Sequence, residues 1–150
     1  LDAHPQWGNN AQLGLRLSWQ ADGRYGEQAL GFIGALPPEQ QTLPALGQAV
    51  EQALGRAPLL VPGDGRPLRR VAWCTGGAQG YFEDAIAAGA DVYLTGEISE
   101  PQAHYAAEMG VAYVAAGHHA TERYGVQALG QQLAEAMGLR CEFIDLPNPA

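Results

Sequence analysis

The sequence predicts an α/β fold in which βαβ units build a mostly parallel sheet. Three observations carry this expectation. From Arg70 onward, apolar runs of strand length alternate with segments of helix length. Three of those runs end in small polar turns, Thr75-Gly76-Gly77, Thr95-Gly96-Glu97 and Gly117-His118-His119. Finally, 47% of the 150 residues are hydrophobic, which suffices for a buried core in a chain of one domain or slightly more.

Taken in order, Leu13, Leu15, Leu17 and Trp19 alternate as a half-buried strand would. A turn-rich stretch over 21–26 leads to a second apolar run over 29–35, so the two runs are expected to form a hairpin or neighbouring strands. Thr42 is placed to cap a helix with Pro44 in its first turn and Leu43, Leu46, Val50 and Leu54 at helical spacing, ended by Gly55. A short strand over 58–61 runs into Pro62-Gly63-Asp64-Gly65, the most loop-like segment of the chain. Beyond it the spacing predicts strands over 70–74, 91–94 and 111–116, with helices over 81–88 and 100–109. A last helix carries Val126, Leu129, Leu133 and Met137, and a closing strand spans 141–146. The division expected is a hairpin and helix insertion region, 1–65, followed by the βαβ region, 66–150.

Composition excludes several chemistries. The net charge is −8 and the one local basic cluster is Arg66, Arg69 and Arg70, so generic nucleic-acid binding by phosphate neutralisation is not expected. All eight cationic side chains are arginines, which removes Schiff-base lysines and a lysine-bearing phosphate loop. Cys74 and Cys141 have neither C-x-x-C nor zinc-knuckle spacing and read as buried free thiols. No run reaches the ~18 apolar residues of a membrane span and no charged-then-apolar leader is present, so a cytoplasmic protein without a membrane partner is expected. The chain opens Leu1-Asp2 without methionine. Leu1 suits the end of a buried strand, which suggests a piece of a longer protein.

In open α/β sheets ligands gather outside the carboxyl ends of the strands, and the three polar turns fall there. His118 and Glu122 are four residues apart after a strand exit. On a helix such side chains share a face, with Cβ atoms roughly 5–6 Å apart, and imidazole with carboxylate suits Zn, Mn, Fe or Ni. A carboxylate in the first helical turn is equally consistent with the macrodipole alone. The loop 75–80 either offers backbone N–H groups to an anion or simply makes a tight strand-to-helix turn. Glu97 is either a general base, or partner to a ligand, or a carboxylate that starts a helix. His104, one turn before Glu108 within a helix, reads as a surface residue or a proton-transfer group. His4, before Pro5, is similar.

Leu1-Asp2 with Gly8-Asn9-Asn10, Thr75-Gly76-Gly77, residues 91–97 and the heptad Gly117-His118-His119-Ala120-Thr121-Glu122-Arg123 together resemble the Nif-three-like dinuclear metal-centre proteins, also labelled GTP cyclohydrolase I type II homologues, in their YbgI-like branch. The resemblance runs from Leu1 to the closing residues 143–149. It implies a site for two divalent metal ions that takes Asp2, His118 and Glu122 as ligands, with two further histidines from an N-terminal portion outside this chain. His119 is not an expected ligand. It also implies a ring-shaped homohexamer and, by the family's label, metal-dependent hydrolysis of a nucleotide-like or related ring substrate; in such a reaction Glu97 or His104 is expected to move protons. The opposing expectation is a non-catalytic metal-binding or interaction module. With part of a sheet absent, the final helix and strand are expected to lack their usual neighbours.

Overall fold

The computed structural model describes residues 2–149, so the strand role suggested for Leu1 lies outside the described residues. Helix α1 (Asn9–Arg16) is followed by strands β1 (Gln20–Tyr25) and β2 (Gly31–Ala35), helix α2 (Leu43–Leu54), and strands β3 (Leu59–Val61) and β4 (Arg70–Trp73). Then come α3 (Phe82–Ala87), β5 (Val92–Thr95), α4 (Glu100–Met109), β6 (Ala112–Ala115), α5 (His118–Glu122) and α6 (Tyr124–Met137). All six strands join one sheet in the order β1-β2-β4-β5-β6-β3. Its centre, β4-β5-β6, is parallel; β1, β2 and β3 are antiparallel to their neighbours. The α/β class is as the alternation predicts.

Side chains alternate across the central strands, and both faces are covered. Val71, Trp73, Val92, Leu94, Ala112 and Val114 point into one cluster with Leu13 and Leu17 of α1, Leu46 and Val50 of α2, and Tyr124 of α6. Ala72, Tyr93 and Tyr113 point into the other, with Phe82 and Ala85 of α3 and Ala106 of α4. Burial on two faces explains why these strands read as continuous apolar runs. In α2 the Thr42 hydroxyl accepts from the Ala45 N–H, and Gly55 closes the helix in the left-handed conformation, φ 70°.

Three elements differ from the sequence expectation. Residues 13–19 are helix and turn instead of a strand: Leu13 and Leu17, four apart, are 0% and 2% exposed whereas Leu15 is 68% exposed. That is helical periodicity, and the alternate leucines fit a strand only if Leu15 is inward. The polar stretch 21–26, read as a turn, falls largely in strand β1, Gln20–Tyr25. It lies at the sheet edge, where outward Gln20 and Arg24 meet water and the ladder with β2 supplies the order. Residues 141–146 form no strand. They follow α6 as an exposed irregular segment with Phe143, Ile144 and Leu146 at 41%, 72% and 72% exposure, and an apolar run becomes a strand only when a partner completes its ladder.

The two thiols also part company, because Cys74 is buried and Cys141 is exposed. Burial pushes the Cys74 thiol up to about 11, with the charges of Asp2 and Glu122 adding to the effect. Iodoacetamide at neutral pH is therefore expected to alkylate Cys141 in the native protein and Cys74 only after unfolding. Peptide mapping by mass spectrometry reads this directly, and early labelling of Cys74 would contradict the packing described. Among the described residues no helix is long and apolar enough to cross a membrane.

Candidate metal centre

The carboxyl ends of β4, β5 and β6 are stitched together by their exit turns. Gly96 N–H donates to Gly76 O at 2.9 Å, and Gly117 N–H donates to Gly96 O at 2.8 Å. Thr95 Oγ1 donates to Gly76 O at 3.0 Å and accepts from Ala78 N–H, and Thr121 Oγ1 accepts from Gly76 N–H at 3.0 Å. The N–H groups of Thr75, Gly76 and Ala78 are thus bonded within the protein. Of the two readings open for the 75–80 loop, these bonds favour a tight structural turn over an anion cradle.

This stitching brings His118 between two carboxylates. Its Nδ1 lies 2.5 Å from Glu97 Oε1 and its Nε2 lies 2.9 Å from Glu122 Oε2. The Glu122 contact is the one-turn pairing of a helix face; the Glu97 contact is tertiary. Hydrogen bonding to Glu97 is the main cause that raises the His118 pKa, and the same bond lowers that of Glu97. Glu97 Oε2 also accepts from Gln79 Nε2 at 3.3 Å, which ties the turn after β4 to the turn after β5.

Gly76 sets how closely the loop approaches. It has φ +71°, and a Cβ placed on it would lie 2.0 Å from Glu122 Oε1 and 3.1 Å from His118 Nε2. The gap beside the His118 and Glu122 side chains is therefore one that a side chain at position 76 would fill.

Asp2 is tied through Asn9 to the start of α6. Asn9 Nδ2 donates to Asp2 Oδ1 at 2.7 Å, while Asn9 Oδ1 accepts from Gly125 N–H, at the start of α6, at 2.6 Å. Asn10, wholly buried, accepts from Thr75 N–H at 2.7 Å and donates to Leu30 O at 2.9 Å. The two asparagines thus fasten α1 to the two segments that carry the site. The Gly8-Asn9-Asn10 motif marks them in the sequence, but their fastening role shows only in their burial and bonds. His104 is placed elsewhere. It stands on α4 with its side chain 73% exposed, 3.9 Å from Glu100. His4 stacks on Trp7 with ring centroids 4.7 Å apart, and its Nδ1 accepts from Trp7 N–H.

An α/β sheet with a His-carboxylate cluster at its strand exits defines the class, and comparison with known proteins defines the family. The sequence model of the Duf34/NIF3 (NGG1p interacting factor 3) family matches residues 1–149, and the chain belongs to this family. It is 53% identical over 150 residues to a GTP cyclohydrolase 1 type 2 homolog of Neisseria meningitidis serogroup B, covering 100% of this chain and 60% of that protein. The corresponding homolog of Escherichia coli K12 is 46% identical over 157 residues, again covering 100% and 60%. The solved structure of protein ybgI, described as of unknown function, superposes with a TM-score of 0.93 at 44% identity over 100% of this chain and 60% of that one. The reduced HcgD of Methanocaldococcus jannaschii, at 22% identity and TM-score 0.75 over 93% of this chain and 55% of that one, shares the fold. The chain thus spans about 60% of the length of the curated relatives it matches.

Proposed function

We propose that this chain supplies Asp2, His118 and Glu122 to a centre of two divalent ions, Zn, Mn, Fe or Ni, in a metal-dependent hydrolase that acts on a nucleotide-like substrate. The observation that carries the reading is His118 held between Glu97 and Glu122 at a strand-exit rim kept open by Gly76. The donor set fits such ions: one imidazole nitrogen and two carboxylates, with Nε2 and Glu122 already 2.9 Å apart. The remaining ligands belong to parts of the full-length protein beyond this chain.

Bound ions would supply an acidified water and polarise the group under attack. The protein's own contribution begins with Glu97, which accepts the Nδ1 proton of His118 and so fixes the tautomer that leaves Nε2 for coordination. Gln79 steadies Glu97. Half exposed beside His118, Glu97 is also the group placed to accept a proton from an attacking water. His104 is left out of this path, since it pairs with Glu100 on α4. The proposal includes the homohexameric ring, which light scattering of the full-length protein reads.

The test is turnover of purine nucleotides by the full-length protein with metal content measured in parallel. Hydrolysis is expected, and Glu97→Gln should lower kcat by about 10–100-fold at saturating metal. Two bound ions without turnover of any purine nucleotide would contradict the hydrolase and favour a non-catalytic metal-binding module.

A further inference from the structure

We infer that His119 and Arg123 form an anion subsite beside His118 and Glu122 that takes the phosphate of a ring-bearing ligand, and that Asp145 fills it while the ligand is absent. The inference rests on the reading of the His118–Glu122 site given above and names the ligand class of that site. Asp145 presents two oxygens to two different donors: Arg123 Nη1 donates to Oδ2 at 2.7 Å and His119 Nε2 meets Oδ1 at 3.3 Å. A phosphate offers the same pair of acceptor oxygens and more charge, so it competes for the same donors.

Arg123 is aimed by the fold and does not depend on Asp145. Arg123 Nη2 donates to Leu54 O at 2.8 Å and to Tyr124 Oη at 3.2 Å, which leaves the Nη1 edge turned to the cleft. Asp145, by contrast, belongs to the irregular exposed segment after α6, in which no strand ladder forms. Moving it breaks the two contacts named and no regular structure.

The surrounding cleft, about 620 Å³, is lined by His118 and Glu122 and by the apolar Val126, Phe143 and Ile144. That is far more room than a phosphate needs, and Val126, on α6, gives a planar ring an apolar contact that stays when Asp145 leaves. A phosphate in this position would hold the rest of its ligand against the proposed metal ligands.

Titration calorimetry of the full-length protein with inorganic phosphate and with guanosine monophosphate tests the subsite, with metal content measured on the same samples. Asp145→Asn is expected to tighten phosphate binding about tenfold, and Arg123→Lys and His119→Ala each to weaken it about tenfold or more without loss of metal. Guanosine monophosphate should bind about tenfold tighter than inorganic phosphate; equal affinities would overturn the ring-bearing ligand. Unchanged phosphate affinity in both folded variants, Arg123→Lys and His119→Ala, would overturn the subsite. So would phosphate binding abolished by Glu122→Gln alone, since the anion would then sit on metal. Phosphate held through Arg123 and His119 by a protein without metal would support the subsite and count against the metal centre.

Discussion

Alanine at position 76 is expected to strip the candidate centre while leaving most of the fold in place. The residue has φ +71°, and the new Cβ would fall 2.0 Å from Glu122 Oε1 and 2.5 Å from its Cδ. A left-handed conformation costs a non-glycine residue about 1–2 kcal/mol. The clash cannot be relieved by the loop alone, because Gly76 N–H is held by Thr121 and Gly76 O by Thr95 and Gly96. Glu122 must therefore swing away from His118. In the full-length protein we expect Gly76→Ala to reduce bound metal to one ion per chain or fewer, with thermal stability lowered by about 1–3 kcal/mol. Emission spectroscopy and a melting curve measure the two effects, and full metal content in a folded Gly76→Ala would show that Glu122 is not a ligand.

The largest loss of stability from a single polar residue is expected at Asn10. Its side chain is 0% exposed and satisfies the buried Thr75 N–H and the partly buried Leu30 O. Truncation leaves both unsatisfied at about 1–3 kcal/mol each, so Asn10→Ala should lower stability by about 2–5 kcal/mol. It also frees the turn after β4 from α1, so Trp73, whose indole donates to Asn10 O at 2.8 Å, should report the loosening by fluorescence. Urea unfolding within about 0.5 kcal/mol of the unsubstituted protein would contradict this assignment.

The fold was legible where local chemistry and burial agree. Thr42 and Gly55 mark the ends of α2 because their side-chain and backbone preferences act at the helix termini themselves. The parallel strands announce themselves because β4, β5 and β6 are buried on both faces. Where order comes from partners distant in sequence, the pattern misleads. Strand β1 is made of residues typical of turns and exists through its ladder with β2; residues 141–146 have strand composition and no ladder. Leu15 decides between helix and strand for 13–19 only once its exposure is seen.

The candidate site divides in the same way. His118 with Glu122 follows from helical spacing, and the shared rim follows from parallel strand exits. The bond from Glu97 to His118 joins residues that are 21 apart, and the relay from Asp2 through Asn9 to Gly125 spans 116 positions between its last two members. No periodicity encodes such distances. Asp145, which binds both His119 and Arg123, was invisible for the same reason.

Metal content of the full-length protein, with and without two substitutions, tests the central claim most directly. The account expects about two divalent ions per chain in the unsubstituted protein, as a dinuclear centre requires. In Glu122→Gln, which keeps size and removes the anionic ligand, and in His118→Ala, which removes the imidazole, at least one ion should be lost. Circular dichroism should show both variants folded. Two ions per chain retained in both would contradict the assignment of these residues as ligands.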